Sequence, residues 1–140
     1  MMQLTAADFT MTFRQLAEVD AEQLSEQPAP ALAARWALGE LGAARGWRGW
    51  ARRYCRRLRE AGVCEAARRA RMRRVNPQYV PRAWMLQEAI ADAEKNDFEK
   101  VRFLLRVLRR PYTLDEEAER RGYSAPPPSW AHGIKISCSS

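Results

Sequence analysis

Histidine, cysteine and glycine are scarce in this 140-residue chain, and each shortage excludes a class of function. A lone His132 removes any Cys/His zinc cluster and leaves no Ser/His/Asp or Cys/His arrangement to build. Three cysteines, Cys55, Cys64 and Cys138, are an odd number without repeated spacing, so a disulfide scaffold is excluded and a reducing compartment is expected. Seven glycines include no Gly-x-Gly-x-x-Gly and no other loop able to cradle a phosphate. No stretch reaches the roughly 20 apolar residues of a membrane-spanning helix. The opening Met1-Met2-Gln3-Leu4-Thr5 lacks the basic flank of a signal peptide, so no membrane partner and a cytoplasmic location are expected. β-branched residues are too few for a sheet-rich protein.

What is present is arginine. Of 24 basic residues 21 are Arg, and the segment from Arg45 to Arg74 carries +10 of a net +7, leaving the rest of the chain acidic at −3. An Arg- and Ala-rich composition with little Lys is also what a GC-rich genome produces, so the run by itself names no partner.

The hydropathy pattern predicts an all-α chain. A first helix is expected from Thr5 to about Val19, capped by Asp8 or Thr5, with Phe9, Phe13 and Leu16 at helical spacing. Residues 25–30, with Pro28 and Pro30, read as a linker. Helical pattern resumes from Ala31 to Leu41 and again from Trp47 to Glu60. There Trp47, Trp50, Ala51, Tyr54, Cys55 and Leu58 share one face, and Arg48, Arg52, Arg56 and Arg59 the other. Cys64 to Arg74 forms a shorter helix, after which Asn76 suits an N-cap or turn and Pro77 a first helical position. Met85, Leu86, Ala89, Ile90 and Ala93 make one apolar stripe; Phe98, Val101, Leu104, Leu105 and Leu108 make another. Lys95-Asn96-Asp97 turns the chain between them, with Asn96 or Asp97 as N-cap, so an antiparallel helical hairpin is expected. The domain reading is a helical region over 1–112 and, over 113–140, an extended acidic and Pro-rich tail ending in Cys-Ser-Ser.

Candidate chemistry is sparse. Aromatics interleaved with Arg suit nucleic acid, but Trp47, Trp50 and Tyr54 lie opposite the Arg stripe, which argues against such a binder. The acidic run 115–119 lacks calcium-loop spacing and reads as a solvated charge run. Asp8-Phe9-Thr10 lacks the glycine of a kinase Asp-Phe-Gly and has no catalytic loop upstream. Cys55 and Cys64 read as small core residues, whereas Cys138 on the tail is free to serve as a redox thiol and to react fastest of the three.

Several runs, in order, resemble one family. They are Asp8-Phe9-Thr10-Met11-Thr12-Phe13-Arg14, the Trp47-x-x-Trp50 helix with Tyr54 and Leu58, and Met72-Arg73-Arg74-Val75-Asn76-Pro77-Gln78-Tyr79-Val80. Gln87-Glu88-Ala89-Ile90, Asp97-Phe98, Leu108-Arg109-Arg110-Pro111-Tyr112, Ala125-Pro126-Pro127-Pro128-Ser129-Trp130 and Ser137-Cys138-Ser139-Ser140 follow. Together these resemble the C-terminal end of the selenoprotein O family of protein adenylyltransferases, the Val-Asn-Pro-x-Tyr-Val run and the Cys-Ser-Ser end being the specific pieces. Pro81 departs from the family's aliphatic residue, although it suits the first position of the next helix.

The resemblance implies a pseudokinase-like protein that moves AMP from ATP to protein Ser, Thr or Tyr hydroxyls with Mg2+ or Mn2+. It also implies that the nucleotide- and metal-binding residues lie upstream of the matching region. No catalytic, cofactor-binding or metal residue is therefore assigned in this chain, no cofactor is expected for it alone, and only Cys138 carries over, as a redox position. The expected partner is the catalytic portion of such a protein. The alternatives are a helical adaptor and, least favoured, an Arg-rich nucleic-acid binder.

Overall fold

The computed structural model describes residues 7–24, 32 and 35–134. Among them the chain is all-α, with seven α-helices, two short 3-10 turns and no strand. It divides into two compact units, residues 1–78 and 79–140.

The first unit holds α1 (Phe9–Leu16), α2 (Trp36–Gly42), α3 (Trp47–Glu60) and α4 (Glu65–Val75), with a 3-10 turn at Glu22–Leu24. The helix α1 begins where the Asp8 carboxylate accepts the Met11 N–H at 2.8 Å, as expected of an N-cap. It stops short of Val19 because Ala17 and Glu18 turn their N–H groups to the carbonyls three residues back, which sends Val19 into the core. No side chain at Arg35 caps α2. The buried Gln15 does so from α1, its Oε1 accepting the N–H groups of Ala37 at 3.0 Å and Leu38 at 3.2 Å. Gly46, at φ 92°, takes the left-handed conformation that starts α3, and Gly62, at φ 58°, ends it.

The α3 range is the predicted one, and so is its burial. Trp47, Ala51 and Cys55 join Leu16, Val19, Leu24, Leu32, Leu38 and Leu41 in one core. Trp50 and Tyr54 extend it as a ring ladder, with centroids 4.9 Å and 5.1 Å apart from Trp47 to Trp50 to Tyr54. Arg48, Arg52, Arg56 and Arg59 are exposed.

The second unit holds α5 (Ala83–Ala93), α6 (Glu99–Leu108), α7 (Glu116–Arg120) and a 3-10 turn at Ser129–Gly133. The α5–α6 pair is present and packed, joined through Asn96 at φ 63°. Asp97 does not itself occupy the N-cap position, which falls to Phe98, but its carboxylate accepts the Glu99 N–H at 2.9 Å. The buried stripe differs from the expected one. Phe103, Leu104 and Val107 of α6 and Trp84, Met85 and Ala89 of α5 face the core, while Leu86, Ile90, Phe98, Val101 and Leu105 stay exposed. Tyr123 explains the rotation. It packs edge-on against both Trp84 and Phe103 at 5.6 Å and 5.5 Å, drawing Phe103 inward. Arg121 and Arg106 cover the Phe103 ring at 4.1 Å and 4.7 Å.

Three expectations about loops need correction. Residues 113–134 are not uniformly extended. Asp115 caps α7 by accepting the Ala118 N–H at 3.0 Å, and Glu116, Glu117 and Glu119 fill the first turn, where a helix favours negative charge. Ala118 is buried, and Ala131 and Ile134 pack on the same core. Asn76 is a C-cap rather than an N-cap, its N–H and Nδ2 both donating to the Met72 carbonyl at 2.9 Å. Pro77 and Pro81 lie in non-helical chain, and α5 starts at Ala83. The linker at 25–30 falls outside the described residues.

Candidate functional site

The motifs singled out in the sequence meet in two polar nodes, one in each unit. In the first unit the buried Arg14 of α1 reaches the C-terminal end of α4. Its Nη1 donates to the carbonyls of Arg73 at 3.1 Å and Asn76 at 3.2 Å. The Asp-Phe-Thr-x-x-x-Arg run and the Arg-Val-Asn-Pro run are thus one assembly, in which a cation satisfies carbonyls at a helix end.

Arg68 makes the deeper contact. Its side chain is 4% exposed, and its guanidinium donates to the Leu16 carbonyl at 3.2 Å and the Val19 carbonyl at 2.6 Å. Glu65 takes the rest of the fork, through Nε at 2.8 Å and Nη2 at 2.5 Å. The Glu65 carboxylate also accepts the Ala21 N–H at 3.0 Å. The Arg68 contact, ahead of that backbone donor, holds the Glu65 carboxyl below its ordinary range. Further along α4, Arg73 pairs with Glu18 at 2.5 Å and depresses that carboxyl in the same way. Arg69 pairs with Asp20.

In the second unit Tyr79 of the Val-Asn-Pro-x-Tyr-Val run is 1% exposed and central. Its N–H donates to the Pro111 carbonyl at 3.1 Å, which joins two of the matching runs. Its hydroxyl donates to Glu119 Oε1 at 2.6 Å and accepts the Asp115 N–H at 3.1 Å. Ser124 donates to the other Glu119 oxygen at 2.6 Å. Burial first, and the Glu119 carboxylate second, push the Tyr79 phenol well above the ordinary tyrosine range. Through these contacts Tyr79 pins its own segment to Pro111 and to the acidic turn of α7.

The cysteines divide differently from expectation. Cys55 is buried and its thiol donates to the Ala21 carbonyl at 2.7 Å. Cys64 is exposed rather than a core residue, because it sits one residue before α4. There the N–H groups of Ala67 and Ala66 hold its thiol below the usual cysteine range. Cys138 lies outside the described residues. Among the described residues no three His, Cys, Asp or Glu side chains converge as a metal site, and no helix is long and apolar enough to cross a membrane.

A pattern search could have found Tyr79 from its motif and Asp115 from its capping position. Arg14 lies in a matching run too, but its burial has no local sign, and Arg68 carries neither motif nor signal among the neighbouring arginines.

A groove of about 550 Å3 runs along α6 in the second unit. Val107 forms its floor, with Leu105 and Leu114 beside it and Arg102, Arg106, Arg109 and Arg110 around it. Arg106 is engaged by Asp115 at 2.6 Å and Glu117 at 2.8 Å.

Comparison with known proteins gives these nodes a context. The family described as protein adenylyltransferase SelO matches residues 1–109. The chain is 41% identical over 140 residues to the protein nucleotidyltransferase YdiU of Burkholderia ambifaria, covering 99% of this chain and 25% of that protein. A protein of the same name from Stutzerimonas stutzeri is 40% identical, covering 100% and 26%. One from Azoarcus sp. is 42% identical over 144 residues, covering 99% and 27%. The chain therefore spans about a quarter of the length of the curated relatives it matches. No solved structure gives a significant match. With the match running through the Arg14, Arg68 and Tyr79 nodes, this chain belongs to the SelO family of protein adenylyltransferases.

Proposed function

We propose that this chain is the C-terminal helical part of a SelO-type protein adenylyltransferase, the enzyme that transfers AMP from ATP to protein hydroxyls, and that it acts only together with a catalytic portion. The observation that carries the reading is the coverage: the whole chain aligns with a quarter of each nucleotidyltransferase relative. Two features support it. The sequence has no glycine loop for a nucleotide phosphate. The polar groups of the two nodes hold helices and turns together, which is the supporting role this reading gives the chain.

In a complete enzyme, ATP and a divalent ion would supply the transferable group and neutralise its charge. The residues of this chain would contribute shape and support, and Cys138 a redox-sensitive thiol.

The test is calorimetric titration with ATP and Mg2+, and AMP labelling with radiolabelled ATP. Both are run on the chain alone and after mixing with the catalytic portion of the Burkholderia relative. No labelling alone and labelling in the mixture is the expected outcome. Robust labelling by the purified chain alone would sink the reading.

A helical adaptor whose apolar faces dock a separate catalytic portion is the second reading, favoured by the exposed apolar side chains of α5 and α6. Binding of a catalytic portion without gain of labelling would support it.

A further inference from the structure

The outer side of α6 carries two neighbouring stripes of different chemistry. Phe98, Val101 and Leu105 recur at helical spacing as one apolar stripe, continued by Leu114 beyond the helix; Leu105 is 52% exposed and Leu114 63%. Arg102, Arg106 and Arg109, also at helical spacing, form the adjacent cationic stripe, with Arg110 at its end. The groove lies along the C-terminal part of this face, where Leu105 and Leu114 meet Arg102, Arg109 and Arg110; Phe98 and Val101 lie outside it. Arg102, Arg109 and Arg110 have no acidic partner among the described residues.

We propose that this face docks an acidic amphipathic helix of another polypeptide, its aliphatic side chains on Val101, Leu105 and Leu114 and its carboxylates on Arg102, Arg109 and Arg110. Three observations select that occupant. Exposed Leu105 and Leu114 beside Arg102, Arg109 and Arg110 are complementary to the apolar face and flanking carboxylates of an acidic amphipathic helix. Arg106 already displays the polar half of the contact, since the acidic turn of α7 engages it through the carboxylates of Asp115 and Glu117. A second copy of this chain would bring an identical arginine stripe against the first, which like-charge repulsion opposes. A nucleic acid would engage the arginines but would leave the aliphatic stripe in water. The inference concerns this surface alone and does not depend on the adenylyltransferase reading.

The test uses the full chain and a fluorescent amphipathic helical peptide with leucines on one face and glutamates beside them. A companion peptide carries lysine in place of each glutamate. Anisotropy should show binding of the acidic peptide only, weakened as salt rises from about 50 mM to about 500 mM. Leu105→Asp, and separately Arg102→Glu with Arg109→Glu, should each weaken it about tenfold or more. The charge-reversed double variant should gain affinity for the lysine peptide, which a merely misfolded variant cannot do. Arg52→Glu, in the other unit, should change nothing.

Equal binding of the two peptides, or no effect of Leu105→Asp, would overturn the proposal. So would an oligonucleotide that binds Leu105→Asp as well as the parent, or a sedimentation-detected dimer abolished by Leu105→Asp.

Discussion

Arg68→Ala is the sharpest test of the packing argument. Truncation removes a guanidinium that serves the Leu16 and Val19 carbonyls and the Glu65 carboxylate together. Breaking a buried ion pair by deleting one partner costs about 3–5 kcal/mol, and an orphaned buried carbonyl about 1–3 kcal/mol. These contributions overlap, and the Glu65 side chain, 34% exposed, can recover water. The expected loss is therefore near the lower end, about 3 kcal/mol. A unit of 78 residues has a stability of about 4–12 kcal/mol, so the loss is a large fraction of it. Urea unfolding followed by circular dichroism reads it as a shift in midpoint. Arg68→Lys keeps the charge but not the fork and should recover only part of the loss. Arg69→Ala removes the more exposed pair with Asp20 and should cost less than about 1 kcal/mol. If Arg68→Ala costs no more than Arg69→Ala, the buried guanidinium is not what joins α1 to α4.

Two further outcomes are expected. Because the folded-state pKa values of Glu65 and Glu18 lie below the ordinary glutamate value of 4.5, their stabilisation is complete above that value and is lost as pH falls through the depressed folded values. Unfolding midpoints should thus drop below about pH 4.5, and the drop should shrink in Glu18→Gln; an unchanged acid profile in that variant would refute the assignment. Alkylation with iodoacetamide, followed by mass spectrometry, should modify Cys138 first, Cys64 next and Cys55 last, and modification of Cys55 first would overturn the ordering.

Helices were legible wherever burial follows a period. The range of α3 and its aromatic face could be read from Trp47 to Glu60, because alternating faces of Trp and Arg leave one way to bury the helix. The α5–α6 hairpin was legible too, but not which side of α6 turns inward. That choice rests on Tyr123, 20 residues from Phe103 along the chain, and no local window contains both. The proline run at 126–128 suggests an extended tail after Pro111, and the acidic run 115–119 a solvated face. The same acidic residues, with Asp115 ahead of them, are an N-terminal helical turn, and Ala118 is the small apolar residue that seats it. The polar nodes were hidden for a different reason. Arg14 and Arg68 are buried by carbonyls on distant turns; Arg14 stands alone in its helix, and the run around Arg68 does not announce which arginine faces inward.

The span of these contacts also sets an order of events during synthesis. Arg14 emerges first but bonds to the carbonyl of Asn76, 62 residues later, and Tyr79 waits 40 residues for Glu119. Neither unit can close on its N-terminal part alone, and such distant pairings slow the search for the native state. A nascent chain ending at Val75 would include every described helix of its first unit and still lack the last carbonyl that Arg14 holds. In both units an early residue waits for a partner that translation delivers 40 residues or more later.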